Sequence, residues 1–411
     1  MRQDFVHRTL ASAVREIGKR FGVVLVTGPR QVGKTTLLQR IRPKGRTYVT
    51  LDDTTAKALA RKDPAGFLQR YEPPVLIDEV QYAPQLFPHI KMAVDQTRKP
   101  GLFWLTGSQQ FGMMRHVSES LAGRVAVVKL LGFSAFEEAG KARQAIPFLP
   151  TLRQLQRRAK ATKPCSMMPL YRKIWRGSFP FAAGADREHD LERFFSSYTA
   201  TYLQRDVRDY AQIHNTTRFF TFLRMAGARS GQLVNYADFA RDLGVSQPTV
   251  KSWLAVLQAC GLVYLLRPYF TSRSKRLLKT PKLYFLDTGL CAHLAGWSSP
   301  RVLERGAMAG PILETYVVTE ILKSYWHNGR EPRIFFYRDK EKREIDVILE
   351  ENGTLYPIEI KKTATPHPRD TRHFAVLDRL GVPVGPGGLV CLRQSHVPLA
   401  PNVHAVPVGY L

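Results

Sequence analysis

The stretch VVLVTGPRQVGKTT, residues 23–36, is the part of the sequence that decides the fold. It begins with a short apolar run and continues as GPRQVGKT, which fits the pattern G-x-x-x-x-G-K-[ST] at every position. An apolar helical pattern follows from Thr35 to Ile41. The order of strand, glycine-rich loop and helix predicts a phosphate-binding loop at the amino end of a helix.

The residue types of this loop suit the phosphates of a nucleotide. Gly28 and Gly33 allow a positive φ and remove Cβ atoms, so that backbone N–H groups can surround the phosphates. Lys34 is expected to neutralise the β- and γ-phosphates, and the Thr35 hydroxyl to ligate Mg²⁺. We therefore predict that ATP and Mg²⁺ bind here, and that the nucleotide contacts Gly28, Pro29, Arg30, Gln31, Val32, Gly33, Lys34, Thr35 and Thr36.

Three further segments predict hydrolysis of the bound nucleotide. VLIDE ends a buried-strand pattern with Asp78, expected to hold Mg²⁺, and Glu79, expected to orient or deprotonate the attacking water. LFWLTGS ends at Ser108, where a polar side chain would reach the γ-phosphate or the water, although TGS is also ordinary turn chemistry. Arg124 is a candidate arginine finger, in cis or across a subunit boundary, with an ordinary surface ion pair as the alternative.

Short apolar runs alternate with helical patterns up to about residue 140, which predicts an α/β domain with a doubly wound parallel sheet at 1–140. The basic, turn-rich stretch 143–164 is interpreted as a connector or surface insertion within 141–190. Helical patterns at 190–210 and 219–228 and a helix-turn-helix predict a helical lid with a winged helix at 191–295. A second α/β domain is predicted at 300–411.

The helix-turn-helix is predicted from local signals between residues 235 and 269. A helix over 236–243 and a turn at Gly244 are followed by Ser246 as the N-cap of a second helix over 249–260. A strand over 262–266 then leads to a basic wing at 269–283, which carries Arg273, Lys275, Arg276, Lys279 and Lys282. Such an element either contacts DNA or serves as a protein-contact module or ATPase lid.

A second set of acidic residues lies on two predicted strands near the carboxyl end. Asp346 lies in EIDVILE, and Glu359 and Lys361 share one face of LYPIEIK because strand positions i and i+2 point the same way. If these strands pair, Glu314 on a preceding helix would join Asp346 and Glu359 as metal ligands, with Lys361 acting on water or phosphate. The alternative is a solvated charged face.

Charge indicates the class of partner. The 411 residues include 61 Lys and Arg against 34 Asp and Glu, a net charge of +27, which favours binding to DNA over a basic protein with no nucleic-acid role. No apolar run is long enough to span a membrane, so no membrane contact and a cytoplasmic location are expected. Four scattered cysteines disfavour a disulfide framework or a zinc site.

These segments, in this order, resemble a family of predicted prokaryotic ATPases. In that family an AAA+-type P-loop domain is joined to a C-terminal domain of unknown function with a restriction-endonuclease-like, PD-(D/E)xK core. The match is carried by TGPRQVGKTTLL, VLIDEVQ, LTGS, SLAGRV, YLQRDV at 202–207, YFLDTGL, GPILETYV, EIDVIL and IEIKK. The resemblance implies nucleotide-dependent action, association with DNA and a homo-oligomer.

We therefore expect an AAA+-type ATPase that acts on DNA, with a nuclease-like C-terminal domain that cuts or grips it. The alternative is an ATP-driven regulatory switch that controls protein contacts, with an inactive nuclease-like fold as a binding platform. A phosphotransferase is disfavoured because such enzymes do not need the water-orienting carboxylate of Glu79.

Overall fold

The computed structural model describes residues 5–108, 111–162, 165–185, 187–203, 215–272, 276 and 279–411. They form two compact units. The first unit comprises Met1–Phe133, Ala259–Gly261 and Trp326–Arg330, and the second comprises Ser134–Gln258, Leu262–Tyr325 and Glu331–Leu411. The domain boundaries predicted near residues 140, 190 and 300 stay predictions. In the described ranges, no helix combines the length and the apolar character that crossing a bilayer would require.

The first unit is built on a parallel five-stranded sheet in the order β2-β3-β4-β1-β5. Its strands are β1 Val23–Gly28, β2 Thr47–Thr50, β3 Val75–Asp78, β4 Phe103–Ser108 and β5 Val125–Lys129. Its helices are α1 Leu10–Ile17, α2 Lys34–Ile41, α3 Thr54–Lys62, α4 Pro64–Arg70, α5 Leu86–Thr97 and α6 Phe111–Leu121. The predicted α/β fold with a parallel sheet is confirmed.

Burial explains why the apolar runs form the centre of this sheet. Every residue of β1, β3 and β4 is buried, as expected for central strands covered on both faces. The strand order places β4 between β1 and β3. Because all three strands are parallel, the glycine-rich loop after β1 and the polar ends of β3 and β4 meet at one edge of the sheet.

The second unit contains a three-stranded antiparallel sheet, β6-β8-β7, and a six-stranded mixed sheet, β13-β14-β12-β11-β10-β9. Its helices are α7 Ala135–Glu138, α8 Leu152–Ala161, α9 Met167–Arg176, α10 Pro180–Ala183, α11 Glu188–Tyr198, α12 Thr216–Ala228, α13 Tyr236–Leu243, α14 Gln247–Ala259, α15 Thr288–Leu294, α16 Pro300–Arg305 and α17 Ala309–Trp326. Its strands are β6 Gln232–Leu233, β7 Val263–Leu266, β8 Lys282–Phe285, β9 Ile334–Arg338, β10 Glu344–Glu351, β11 Thr354–Ile360, β12 Gly387–Cys391, β13 Val397–Ala400 and β14 Val403–Pro407.

The two helices of the predicted helix-turn-helix are confirmed as α13 and α14. Gly244 ends α13 in the left-handed region with φ 61°, and the Ser246 hydroxyl accepts a hydrogen bond from the Thr249 N–H at 3.2 Å. The predicted wing differs from expectation. Arg276 and Lys282 form ion pairs with Glu350 and Glu314 inside the unit, and therefore do not form part of a solvated basic surface. Arg273 and Lys275 lie outside the described residues.

The stretch 143–164, expected to be a connector or surface insertion, contains helix α8 and packs into the second unit. Leu155 and Arg158 of α8 are buried. The Arg158 guanidinium donates to the carbonyl oxygens of Tyr410 at 2.6 Å and Ile146 at 2.7 Å. The prediction of a surface segment was wrong because a charged side chain can be buried when it hydrogen-bonds to backbone carbonyls. The basic composition of the segment does not reveal such contacts.

The predicted helix and three strands of the C-terminal part are confirmed as α17, β9, β10 and β11. β10 is antiparallel to both β9 and β11, and β12 is parallel to β11 after an intervening 3-10 helix, Pro368–Leu380. The helix predicted over 190–210 is α11, followed by a π-helical segment, Thr199–Leu203. Residues 204–210, with most of the YLQRDV segment, lie outside the described residues.

Candidate functional site

The glycine-rich loop connects β1 to α2 in a conformation that requires glycine. Gly28 and Gly33 have φ values of 148° and 88°, and Gln31 also has a positive φ, of 62°. A Cβ atom on Gly28 would lie 2.0 Å from the carbonyl oxygen of Leu130. Glycine is therefore required at the first position of the motif, both by the positive φ and by the nearby carbonyl group of Leu130.

Lys34 lies at the first position of α2 and is only 5% exposed. Its ammonium group donates to the carbonyl oxygens of Gly28 at 3.1 Å and Pro29 at 2.7 Å. These contacts hold the charge over the loop, where the phosphates of a nucleotide would lie. Because the cation and the amino end of α2 are adjacent, the loop is ready to receive an anion.

Asp78, at the end of β3, is the centre of a hydrogen-bond network. Its Oδ1 accepts from the hydroxyls of Thr35 at 2.6 Å and Thr106 at 2.5 Å, and its Oδ2 lies 3.5 Å from the Tyr48 hydroxyl. Hydroxyl and carboxylate oxygens are the ligand atoms that Mg²⁺ prefers. Thr35 and Asp78, both predicted Mg²⁺ ligands, are thus brought together in a set that fits the ion.

Thr106 is a further candidate site residue, which the sequence did not lead us to predict. Besides donating to Asp78, its hydroxyl accepts from the backbone N–H of Glu79 at 3.0 Å. Thr106 therefore connects the two acidic residues of the VLIDE segment. The signal was present in the TGS motif, but the prediction selected Ser108 from it.

Ser108 lies beside the phosphate loop, because it pairs with Gly28 in the register of β4 and β1. Its hydroxyl is buried and has no hydrogen-bond partner among the described residues. Buried hydroxyls are normally paired, so this group suits a partner supplied by a ligand. The placement agrees with the predicted contact to the γ-phosphate or the water, which stays a prediction.

Glu79 follows Asp78 with φ 58° and ψ 44°, a left-handed conformation that costs a non-glycine residue roughly 1 to 3 kcal/mol. Its carboxylate accepts a hydrogen bond from the side-chain amide of Gln81. Strained backbone of this kind is concentrated at functional sites, where surrounding structure holds it. The conformation places Glu79 at the sheet edge that carries the phosphate loop.

Arg124 is not brought to the phosphate loop of its own chain. Its carbonyl accepts from the N–H of Val23, so it lies at the amino end of β1, the opposite edge of the sheet from Gly28. Its guanidinium pairs with both carboxylate oxygens of Asp95, at 2.5 and 3.0 Å, which lowers the pKa of Asp95. A role in cis is therefore not supported by this placement, and a role across a subunit boundary stays a prediction.

The second predicted site is also assembled, in the second unit. Asp346 Oδ2 accepts from the N–H of Ile360 at 2.8 Å, and Glu359 Oε1 lies 2.8 Å from the Lys361 ammonium. Burial and the Asp346 carboxylate together raise the pKa of Glu314 to about 7 and that of Glu359 to about 8. The structure therefore brings the predicted acidic residues close enough to affect one another.

Lys282, on β8, and Glu344, on β10, belong to this cluster although the sequence did not predict either of them. The Lys282 ammonium lies 2.6 Å from Glu344, 3.0 Å from Glu314 and 3.8 Å from Asp346, and Lys282 is 4% exposed. Burial would lower the pKa of Lys282, but the carboxylates outweigh it and raise the pKa above its ordinary value. The sequence assigned Lys282 to a solvated wing, because its acidic partners are distant along the chain.

This cluster does not fit a divalent metal ion. Within the described ranges, no group of three or more His, Cys, Asp and Glu has the arrangement of a metal site. The Lys282 ammonium lies within 4 Å of Glu314, Glu344 and Asp346 and supplies the positive charge that these carboxylates would otherwise take from a metal ion. The prediction that Glu314, Asp346 and Glu359 hold a metal is therefore not supported by the geometry.

Family models match three segments of the chain. The model of an AAA domain matches residues 20–139, which contain the phosphate loop and the VLIDE segment. Two models of domains of unknown function, DUF8612 and DUF4143, match residues 168–301 and 309–411.

The uncharacterized proteins Rv2008c of Mycobacterium tuberculosis and Mb2031c of Mycobacterium bovis are each 31% identical over 413 residues, covering 98% of this chain and 84% of each relative. Among solved structures, the Walker-type ATPase PABY2304 of Pyrococcus abyssi is similar with a TM-score of 0.40 and 14% identity, covering 71% of this chain and 97% of that one. A RuvB variant of Thermotoga maritima follows with a TM-score of 0.28 and 17% identity, covering 62% and 86%.

Proposed function

The chain belongs to the same family as the mycobacterial proteins Rv2008c and Mb2031c, and from this premise we propose that it is a Mg²⁺-dependent ATPase that acts on DNA. It contains an AAA-type P-loop domain at residues 20–139. The observation that carries the proposal of hydrolysis is the network of Thr35, Asp78, Thr106 and Glu79, which joins the phosphate loop to the ends of two strands.

Each residue of this network has a role in the proposed reaction. Lys34 and the N–H groups of the loop hold the β- and γ-phosphates, and Ser108 offers its hydroxyl near the transferred group. Thr35 and Asp78 would hold Mg²⁺, which neutralises the charge developing on the phosphates. Glu79 orients and deprotonates the attacking water, and Thr106 positions both acidic residues.

Two substitutions test this proposal. Lys34→Ala is expected to abolish nucleotide binding or turnover, whereas Glu79→Gln is expected to bind ATP and hydrolyse it at least about a hundredfold more slowly, as for the loss of a general base. Nucleotide binding and phosphate release are measured on both variants, with Glu72→Gln, an exposed acidic residue, as the control. Unchanged turnover in Glu79→Gln would remove Glu79 from the proposed role.

The proposal that DNA is the partner is supported by charge and by the helix pair α13–α14. The net charge of +27 favours a polyanion. The order of a short strand, two helices joined by a tight turn, and two further antiparallel strands supports the interpretation of this region as a winged helix. In a DNA-binding winged helix the second helix enters the groove, so we propose that α14 has this role.

We propose that the C-terminal part grips DNA and does not cut it. The order of helix α17, antiparallel strands β9–β11 and parallel strand β12 supports the resemblance to a restriction-endonuclease-like fold. Cleavage by such a fold requires metal-bound carboxylates, and here the ammonium of Lys282 occupies the cluster. Lys361, half-exposed beside Glu359, is available to a phosphate of the DNA backbone.

One experiment separates the DNA-acting ATPase from the regulatory switch. ATP turnover with Mg²⁺ is measured with and without linear, branched and single-stranded DNA, and DNA integrity is followed in the same samples, with Asp346→Ala alongside. Turnover stimulated by intact DNA supports the proposal. Turnover indifferent to every DNA would favour the alternative, a switch that controls protein contacts, and cleavage lost in Asp346→Ala would show that the site cuts.

A further inference from the structure

The second unit contains a cavity of about 370 Å³ with an unusual lining for so basic a protein. It lies among the end of α9, the first two turns of α11, and α15 with the loop that follows it. Among the described residues that line it, none is Lys or Arg, although these two types make up 61 of the 411 residues of the sequence. The side chains that characterise the cavity are Trp175, Glu188, Glu192, Phe195, His293 and Trp297.

Two carboxylates give the cavity its charge. Glu188 and Glu192 are one helical turn apart on α11, so that both face the same side of the helix. Neither carboxylate lies within ion-pair distance of a Lys or Arg in the described part of the chain. Both side chains are exposed, so that they are accessible to a ligand from solvent.

The remaining walls are aromatic and held in place. The indole N–H of Trp175 donates to the carbonyl oxygen of Trp297 at 2.6 Å, and the Trp297 indole N–H lies 3.2 Å from the sulfur of Met308. The rings of Phe195 and His293 lie 5.7 Å apart. Burial lowers the pKa of His293, with Glu192 opposing and Arg224 adding to the shift, so His293 supplies no positive charge at neutral pH.

We propose that this cavity binds an organic cation, an alkylammonium or guanidinium group with an apolar stem. The stem would pack on the indole rings, whose faces attract cations, and the charged head would reach Glu188 and Glu192. The volume is in the range of small-ligand sites. Two sources have this chemistry, a Lys or Arg side chain of a protein partner and a free polyamine. The inference goes beyond the proposed ATPase function and does not depend on it.

Isothermal titration calorimetry of the full chain at low salt tests the proposal with three probes: the blocked peptide Gly-Arg-Gly, its citrulline analogue, and spermidine. The arginine peptide or spermidine is expected to bind, and the neutral citrulline peptide to bind at least about tenfold more weakly. Binding of the peptide alone identifies a protein side chain as the source, and binding of spermidine alone identifies a free amine. No binding of either cation, or equal binding of the citrulline peptide, would overturn the proposal.

A charge-matched pair of variants locates the binding. Glu188→Gln/Glu192→Gln is expected to weaken cation binding by about tenfold or more, because it removes the carboxylates without changing side-chain shape. Asp52→Asn/Glu72→Gln, on exposed positions of the first unit, removes the same charge and is expected to leave binding unchanged. Equal affinities of the two double variants would contradict the assignment to this cavity. Trp297→Phe, read by the loss of one indole N–H signal that shifts with the cation, tests the aromatic wall separately.

Discussion

The hydroxyl of Thr106 contacts both acidic residues at the end of β3, donating to Asp78 and accepting from the N–H of Glu79. Thr106→Val removes the hydroxyl with little change in volume. We expect ATP binding to persist and turnover to fall by about 10- to 100-fold, since a hydrogen bond to a charged group contributes about 1.5 to 3 kcal/mol. Steady-state turnover over a Mg²⁺ titration measures this. Thr106→Ser should retain activity, and equal losses in both variants would contradict the assigned role.

Among the described glycines with positive φ, Gly28 makes the closest approach to another segment of the backbone. A Cβ there would meet the Leu130 carbonyl oxygen at 2.0 Å, whereas one at Gly45, φ 89°, would meet nothing within 4 Å. Gly28→Ala is therefore expected to lower the free energy of unfolding by about 3 kcal/mol or more, and Gly45→Ala by only about 1 kcal/mol. Urea denaturation compares the two variants. Similar losses would show that backbone strain, and not the clash, explains the glycine.

The buried carboxyl of Glu359 gives the fold a pH dependence with a definite sign. Its pKa rises from 4.5 to about 8, so between these values the folded protein binds more protons than the unfolded chain. The wild-type free energy of unfolding should therefore fall, relative to Glu359→Gln, as pH rises from about 4.5 to 8, on the order of a few kcal/mol. Urea denaturation at pH 5, 6, 7 and 8 measures the difference, with Glu72→Gln as the control. A difference independent of pH would contradict the burial of Glu359.

The sequence predicted the site residues that lie in short local motifs. It did not predict the residues that join the site only through the order of the strands or through packing. Lys34 and Thr35 lie within one short motif, and Asp78 ends an apolar run, so their positions follow from local pattern. Thr106 becomes important because β4 lies between β1 and β3. Lys282 meets Glu314 and Glu344 only after chain segments distant in sequence have packed together. The TGS motif indicates the end of β4 but not which of its two hydroxyls contacts Asp78, and no local pattern pairs Lys282 with its acidic partners.

Helix α8 is held in the second unit in part by one buried side chain, that of Arg158. The Arg158 guanidinium bridges the carbonyls of Tyr410 and Ile146 and lies over the ring of Phe148 at 5.0 Å. Arg158→Met is expected to lower the free energy of unfolding by roughly 3 kcal/mol, because the buried carbonyl of Tyr410 and the partly buried carbonyl of Ile146 both lose this hydrogen bond. Thermal unfolding measures the loss. Arg157→Met, on the exposed neighbour, should change stability by less than about 0.5 kcal/mol, and equal effects would contradict the bridging role.

Elements with their own boundary signals were predicted well. Helix α13 matches its predicted range, since the Asn235 side chain caps its first turn and Gly244 ends it in the left-handed region. The stretch around α8 was misinterpreted, because its prolines and basic residues resemble a surface loop while its stabilising contacts lie at Ile146 and Tyr410. Local chemistry fixes where a helix begins and ends, but long-range packing decides whether a basic segment is buried.

At the scale of the whole molecule, a net charge of +27 predicts that DNA binding depends steeply on salt. If six or more phosphates are contacted, the affinity should fall by about a thousandfold or more between 50 and 200 mM salt. Charge alone would give this slope to any basic protein, so the informative comparison is between nucleotide states. For a DNA-acting ATPase, Glu79→Gln with ATP should differ in affinity or slope from the same protein with ADP, measured by fluorescence anisotropy on one duplex. Identical curves would leave only nonspecific attraction, and no binding at 50 mM salt would remove DNA as the partner.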